Sequence, residues 1–92
     1  MTSQVKYAAV TGANRGIGRV TALSLAKEGW TVALLGRDFS GVEAVVKEIG
    51  GKALAVSCDV GNRDSVTKAF ATIKSNFGRL DLLFNNAGIV PP

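Results

Sequence analysis

The stretch Thr11-Gly12-Ala13-Asn14-Arg15-Gly16-Ile17-Gly18 constrains this chain more than any other. A short apolar run, Tyr7-Ala8-Ala9-Val10, precedes it, and residues with helical spacing follow. That is a strand, a glycine-rich turn and a helix, the context a phosphate-cradling loop requires. Gly12 lets the chain reverse at the strand end, where a side chain would restrict φ. Gly16 removes the Cβ that would hold a phosphate off the backbone, and Gly18 lets the new helix lie close on the sheet. The first N–H groups of that helix, and the positive end of its dipole, then point at the ligand. The spacing is Gly-x-x-x-Gly-x-Gly, a variant of the Gly-x-Gly-x-x-Gly fingerprint. A P-loop is excluded, because Arg19-Val20 stands where Lys-Ser/Thr would follow the last glycine.

A length of 92 residues allows one small domain with a modest core. With 47% apolar and 20% charged residues the composition is that of a folded chain, not a disordered one. There is no histidine and a single cysteine, Cys58, so neither an internal disulfide nor a Cys/His metal site is expected. Cys58 ends an apolar run and is expected to be buried. The opening Met1-Thr2-Ser3-Gln4 is short and polar, and no apolar run approaches membrane-spanning length. A cytoplasmic location without membrane contact is the expectation. The net charge of +4 raises the question of nucleic acid. Lys27, Lys47 and Lys68 are scattered over polar helix faces, however, so no nucleic-acid partner is expected.

Taken in order, Val5 to Val10 reads as a first strand, nearly continuous in apolar character and suited to burial on both faces. A helix runs from the glycine turn to about Lys27, with Gly18, Ala22, Leu25 and Ala26 on one face and Gly29 as its stop. Thr31 to Leu35 is a second strand. Asp38 then caps a helix whose stripe is Val42, Val45, Val46 and Ile49, closed by Gly50-Gly51. Ala53 to Cys58 is a third strand. Asn62 caps a helix striped by Val66, Phe70, Ile73 and Phe77, and Gly78 closes it. Leu82 to Phe84 is a fourth strand. Strands separated by helices imply right-handed crossovers and a parallel sheet. The fold class is α/β, doubly wound. The expected strand order is 3-2-1-4, with the third helix on the opposite face from the first two.

Three motifs fall at strand carboxyl ends: the glycine turn, Asp59-Val60, and Asn85-Asn86-Ala87-Gly88. Together they resemble the short-chain dehydrogenase/reductase family in its single-domain form, over essentially the whole chain. The resemblance implies a Rossmann sheet and a nicotinamide dinucleotide held by Gly12, Asn14, Arg15, Gly16, Ile17 and Gly18. Asn14, Arg15 and the Ile17 amide would face the phosphates. The Asp59 carboxylate and the Val60 amide would meet the adenine edge. Asn85, Ala87 and Gly88 would line the ribose, and Asn86 would be mainly structural. Plainer readings stand beside these: Asp59 as a helix-start residue favoured by the dipole, and the asparagines as turn residues satisfying their own backbone.

The sequence also departs from the family pattern. Such enzymes carry a Tyr-x-x-x-Lys pair with an upstream Ser, beyond the fifth strand. Here the only tyrosine is Tyr7, with Thr11 four residues on. No catalytic residue is assigned. Residues 1–92 are therefore expected to be the amino-terminal part of one dinucleotide-binding domain, truncated after strand four and inactive alone. The parent would be an oxidoreductase acting on a small-molecule carbonyl or alcohol, and, like many family members, a homo-oligomer. The competing readings are a nucleotide-binding or regulatory module without turnover, and an inert truncated product. The cofactor is expected to be NADP(H) rather than NAD(H). Family members selective for NAD place an acid at the end of strand two, and here that position is Gly36. Arg37 follows it, and with Arg15 it could grip a 2′-phosphate. The competing reading makes Asp38 the ribose acid, but it directly precedes a helix two positions past the strand end and is read as its cap. The other alternative is that both arginines are ordinary surface charges.

Overall fold

A computed structural model describes residues 5–86. The elements are β1 (Tyr7–Thr11), α1 (Gly16–Lys27), β2 (Thr31–Gly36), α2 (Phe39–Ile49), β3 (Ala53–Ser57), α3 (Arg63–Phe77) and β4 (Leu82–Phe84). The sheet order is β3-β2-β1-β4, with every pairing parallel. The 3-2-1-4 expectation therefore holds, and the chain switches direction across the sheet between β1 and β4.

Alternation along the strands divides the core into two layers. Ala9, Ala33, Leu35 and Val56 face one way and pack with Cys58 and with Ala69 and Ile73 of α3. Val10, Val32 and Leu34 face the other way and pack with Ala13, Ala22 of α1, and Val42 and Val45 of α2. The third helix thus covers the face opposite the first two, as the crossover rule requires. Small residues decide how close each helix comes. Gly18 and Ala22 are the buried residues of α1. In α3, Ala69 joins Ile73 at the sheet, while Val66, Phe70 and Phe77 flank them half-buried. The stripe read from periodicity missed Ala69, because a methyl adds little to a hydrophobic pattern yet permits the closest approach.

The strand bounds shift slightly from the sequence reading. Thr11 continues the ladder opposite Leu35, whereas Val5 precedes the strand and is exposed. Instead, the Val5 carbonyl accepts a hydrogen bond from Arg79 at 2.9 Å. Beside it the Tyr7 amide donates to Asp81 Oδ2 at 2.9 Å, and the Tyr7 ring stacks on Phe77 at 4.8 Å. Among the described residues β4 pairs with β1 alone, and Leu82 and Leu83 are 38% and 47% exposed.

Both expected caps form. Asp38 Oδ1 accepts from the Gly41 amide at 3.2 Å, and Asn62 Oδ1 accepts from the Ser65 amide at 3.0 Å. Gly50 and Gly78 close α2 and α3 in the left-handed conformation, at φ +72° and +82°. Replacing Asn62 by Ala is expected to cost about 1 kcal/mol, read as a lower urea midpoint with an unchanged slope.

Candidate functional site

The carboxyl ends of β1, β2 and β3 open onto a cavity of about 630 Å³. Its wall includes Gly12, Asn14 and Arg15 from the glycine turn, Gly36 at the end of β2 with Arg37 and Asp38 after it, Cys58 and Val60 after β3, and Asn86 after β4. The turn is built as its glycines suggest. Gly12 and Gly16 sit at φ +60° and +62°, a region that L side chains enter only with strain. Between them the Ala13 amide donates to the Leu35 carbonyl at 3.1 Å, which fastens the turn to β2. A Cβ at Gly16 would meet nothing beyond its own neighbours within 4 Å among the described residues. A Cβ at Gly18 would lie 2.1 Å from the Gly12 carbonyl oxygen and 3.0 Å from Asn86 Nδ2. The close approach at Gly18 is therefore to the turn itself, rather than to the sheet as the sequence reading had it.

Helix α1 starts at this cavity with Arg15, in extended conformation, as its N-cap. No side chain caps it, and its first turn carries no acid. Its leading N–H groups and dipole are thus left for an anion. Arg15 and Arg37 are both exposed and belong to neither of the two ion pairs found among the described residues, Arg19–Glu48 and Arg79–Asp81. Asp38 lines the same cavity, but its carboxylate is engaged at the start of α2.

The loop after β3 is also ordered by its own hydrogen bonds. The Gly61 amide donates to Asp59 Oδ1 at 2.9 Å, and the Asp59 amide donates to Ser65 Oγ at 2.9 Å. Val60 borders this cavity and a neighbouring one of about 340 Å³, formed with Thr11, Val66, Phe70, Leu83 and Asn85. Asn85 lies in that second space and not in the first. Its Oδ1 accepts from Thr11 Oγ1 at 2.9 Å, and the same hydroxyl accepts from the Asn86 amide at 2.8 Å. One threonine at the end of β1 thus ties down the segment leaving β4. Thr11→Val removes both bonds and is expected to lower stability by about 1–3 kcal/mol in urea denaturation.

Of the residues expected at the site, Gly12, Asn14, Arg15, Arg37 and Val60 meet in one cavity. Ala87 and Gly88 lie outside the described residues. The sequence reading missed Cys58 and Asn86 as cavity walls and Thr11 as the tie between strands. Asn86 stood in a recognised motif. Cys58 carried no signal beyond its place before Asp59. No group of three or more histidine, cysteine, aspartate or glutamate side chains could hold a metal ion among the described residues. No helix among them is long and apolar enough to cross a membrane.

Cys58 is 2% exposed. Burial first, and the Asp59 carboxylate second, push its thiol above the usual range, against a hydrogen bond with Ser65 that pulls it down. The folded chain therefore holds this proton more tightly than the unfolded chain. The resulting stabilisation is complete below the ordinary thiol pKa and is lost as pH rises through the higher folded value. Alkylation by iodoacetamide at pH 8 is expected to be slow in the folded protein and fast in urea. Equal rates in the two states would contradict the buried, neutral thiol.

A doubly wound parallel sheet with a glycine turn at its switch point and an uncapped helix N-terminus behind it defines a nucleotide-binding α/β fold. Residues 6–92 match the short chain dehydrogenase family, and the chain belongs to it. It is 48% identical over 88 residues to a 3beta-hydroxysteroid dehydrogenase of Mediterraneibacter gnavus, an alignment covering 92% of this chain and 32% of that protein. Among solved structures, it resembles a 3-ketoacyl-(acyl-carrier-protein) reductase from Brucella melitensis complexed with NADH, at 41% identity and a TM-score of 0.82, over 85% of this chain and 32% of that one. It also resembles an actinorhodin polyketide ketoreductase with NADPH, at 36% identity and a TM-score of 0.86, over 91% of this chain and 33% of that one. The chain spans about a third of the length of these proteins.

Proposed function

We propose that residues 1–92 are the amino-terminal part of one dinucleotide-binding domain and form the adenosine half of an NADP(H) site. The parent protein is an oxidoreductase moving a hydride between that cofactor and a small-molecule carbonyl or alcohol. One observation carries the cofactor choice. Arg15 and Arg37 border the same cavity, with Gly36 as the last residue of β2 before the second arginine, while Oδ1 of the nearby Asp38 accepts from the Gly41 amide as a helix cap. A 2′-phosphate there would meet two guanidiniums, with the Asp38 carboxylate held through Oδ1 by the Gly41 amide. The relatives described above include proteins crystallised with NADPH and with NADH. The arginines, and not the family, therefore decide the preference.

The chemistry the bound cofactor supplies is hydride transfer. What these residues contribute is position. The uncapped first turn of α1, with Asn14 and the Ile17 amide, receives the phosphates. Asp59 Oδ1 is held by Gly61, which leaves its other oxygen to accept from the adenine amino group, while the Val60 amide donates to the ring. Asn85, Ala87 and Gly88 border the ribose. None of these groups is suited to give or take the substrate proton, and no Tyr-x-x-x-Lys pair occurs in the chain.

Calorimetric titration with NADPH and NADH tests the reading, and carbonyl reduction is assayed in parallel. NADPH is expected to bind about 100-fold or more tightly than NADH. Residues 1–92 alone are expected to show no turnover, and a longer product that continues into Ser and Tyr-x-x-x-Lys to show it. Equal affinities would remove the assignment of the arginines. Binding without turnover in the longer product would favour a nucleotide-sensing module.

A further inference from the structure

Gly36 ends β2, pairs with Ser57 and is buried. It is not among the glycines at positive φ, so its backbone would suit other residues. What excludes a side chain there is space. An added Cβ would lie 2.7 Å from Val42 Cγ2 and 3.4 Å from Asn14 Oδ1. The first distance is well inside contact range, and the obstacle is a side chain with little freedom to yield. Val42 is fully buried in the first turns of α2, and a β-branched residue in a helix keeps essentially one χ1 rotamer. The Val42 amide donates to the Asp38 carbonyl at 3.0 Å, and a Cβ at Gly41 would already meet Asp38 Oδ2 at 2.9 Å and Asn14 Cβ at 3.2 Å.

We infer that Val42 is a specificity-determining residue of the cofactor site. Its methyl group fills the position of a Cβ at residue 36 and so keeps a ribose-binding carboxylate from the end of β2. The inference rests on the cofactor reading above. It adds a residue that need not touch the nucleotide yet decides what can stand beside it. It also makes a specific claim about exchange of cofactor preference: Gly36→Asp alone places the acid where the fold cannot hold it, and Val42→Ala opens the space.

The contact is tested first without ligand, by chemical denaturation of Gly36→Ala, Val42→Ala and the double variant. Gly36→Ala is expected to lower the folding equilibrium constant about tenfold or more in the Val42 background, and by much less once Val42 is Ala. Equal losses in the two backgrounds overturn the inference. The second test measures NADPH and NADH affinities of the wild type, Gly36→Asp and Gly36→Asp/Val42→Ala. Gly36→Asp alone is expected to weaken both nucleotides, and the double variant to recover NADH by about tenfold or more relative to Gly36→Asp. Tight NADH binding by Gly36→Asp with Val42 intact would also overturn it. A wild type that binds neither nucleotide refutes the cofactor reading instead, and the denaturation cycle still decides the contact.

Discussion

With Arg15 and Arg37 both replaced by Ala, the preference for NADPH over NADH is expected to fall by about two to three decades. A hydrogen bond to a charged group contributes about 1.5–3 kcal/mol, and two guanidiniums sharing one phosphate contribute less than the sum. Each single variant should therefore lose part of the preference, and the second replacement should cost more than the first, because the remaining guanidinium partly compensates for the one removed. NADH affinity should fall less, since its ribose hydroxyl carries no charge and only the pyrophosphate is left for Arg15 to meet. The measurement is the ratio of the two dissociation constants at fixed ionic strength, because exposed cations are screened by salt. Both arginines border one cavity and are free of the ion pairs that engage Arg19 and Arg79. An unaltered ratio in both single variants would make them surface charges.

Gly18→Ala is expected to be the most damaging single methyl in the chain. Its Cβ would stand 2.1 Å from the Gly12 carbonyl oxygen and 2.8 Å from the carbonyl carbon. Both atoms are backbone, fixed by the turn that leads out of β1, so no rotamer change can relieve the contact. A loss of about 3 kcal/mol or more follows from such overpacking. That is a large part of the stability available to a chain of this size. Gly16→Ala is the informative comparison. There the added methyl meets nothing among the described residues, and the cost is backbone strain at φ +62°, about 1–2 kcal/mol. The first variant should be read chiefly in the denaturation midpoint. The second should lose more in nucleotide affinity than in stability, because its methyl points into open space before α1. Comparable stability losses in the two would show that the turn can move.

The order of elements, the parallel sheet and both helix caps were legible in the residues themselves. Each rests on a local rule: apolar runs between turn residues, stripes at helical spacing, and Asp38 and Asn62 placed directly before them. Crossover handedness then leaves few ways to arrange four strands, which is why the 3-2-1-4 order could be reached without coordinates. The build of the glycine turn was legible for the same reason, since a strand end, a turn and a helix start are adjacent in the chain.

What only the tertiary structure decided are contacts between segments that spacing does not relate. Thr11 meets Asn85 and Asn86 across 74 and 75 positions of chain, a distance over which no periodicity carries information. Asn85 and Asn86 are neighbours in one motif, yet they line different cavities, because successive residues leaving a strand face opposite sides of the sheet. Gly18 was legible as a close-approach glycine, but its partner was not. Its contact is the Gly12 carbonyl, brought round by the turn at a distance that pattern alone does not encode. Gly36 was legible only as the absence of an acid at the end of strand two. The folded chain shows that the direction of its missing Cβ is already filled by Val42, whose place in the helical stripe announced burial but not the neighbour it would be buried against. Patterns of polarity determine which residues go inside, whereas close packing between distant segments determines which of them touch.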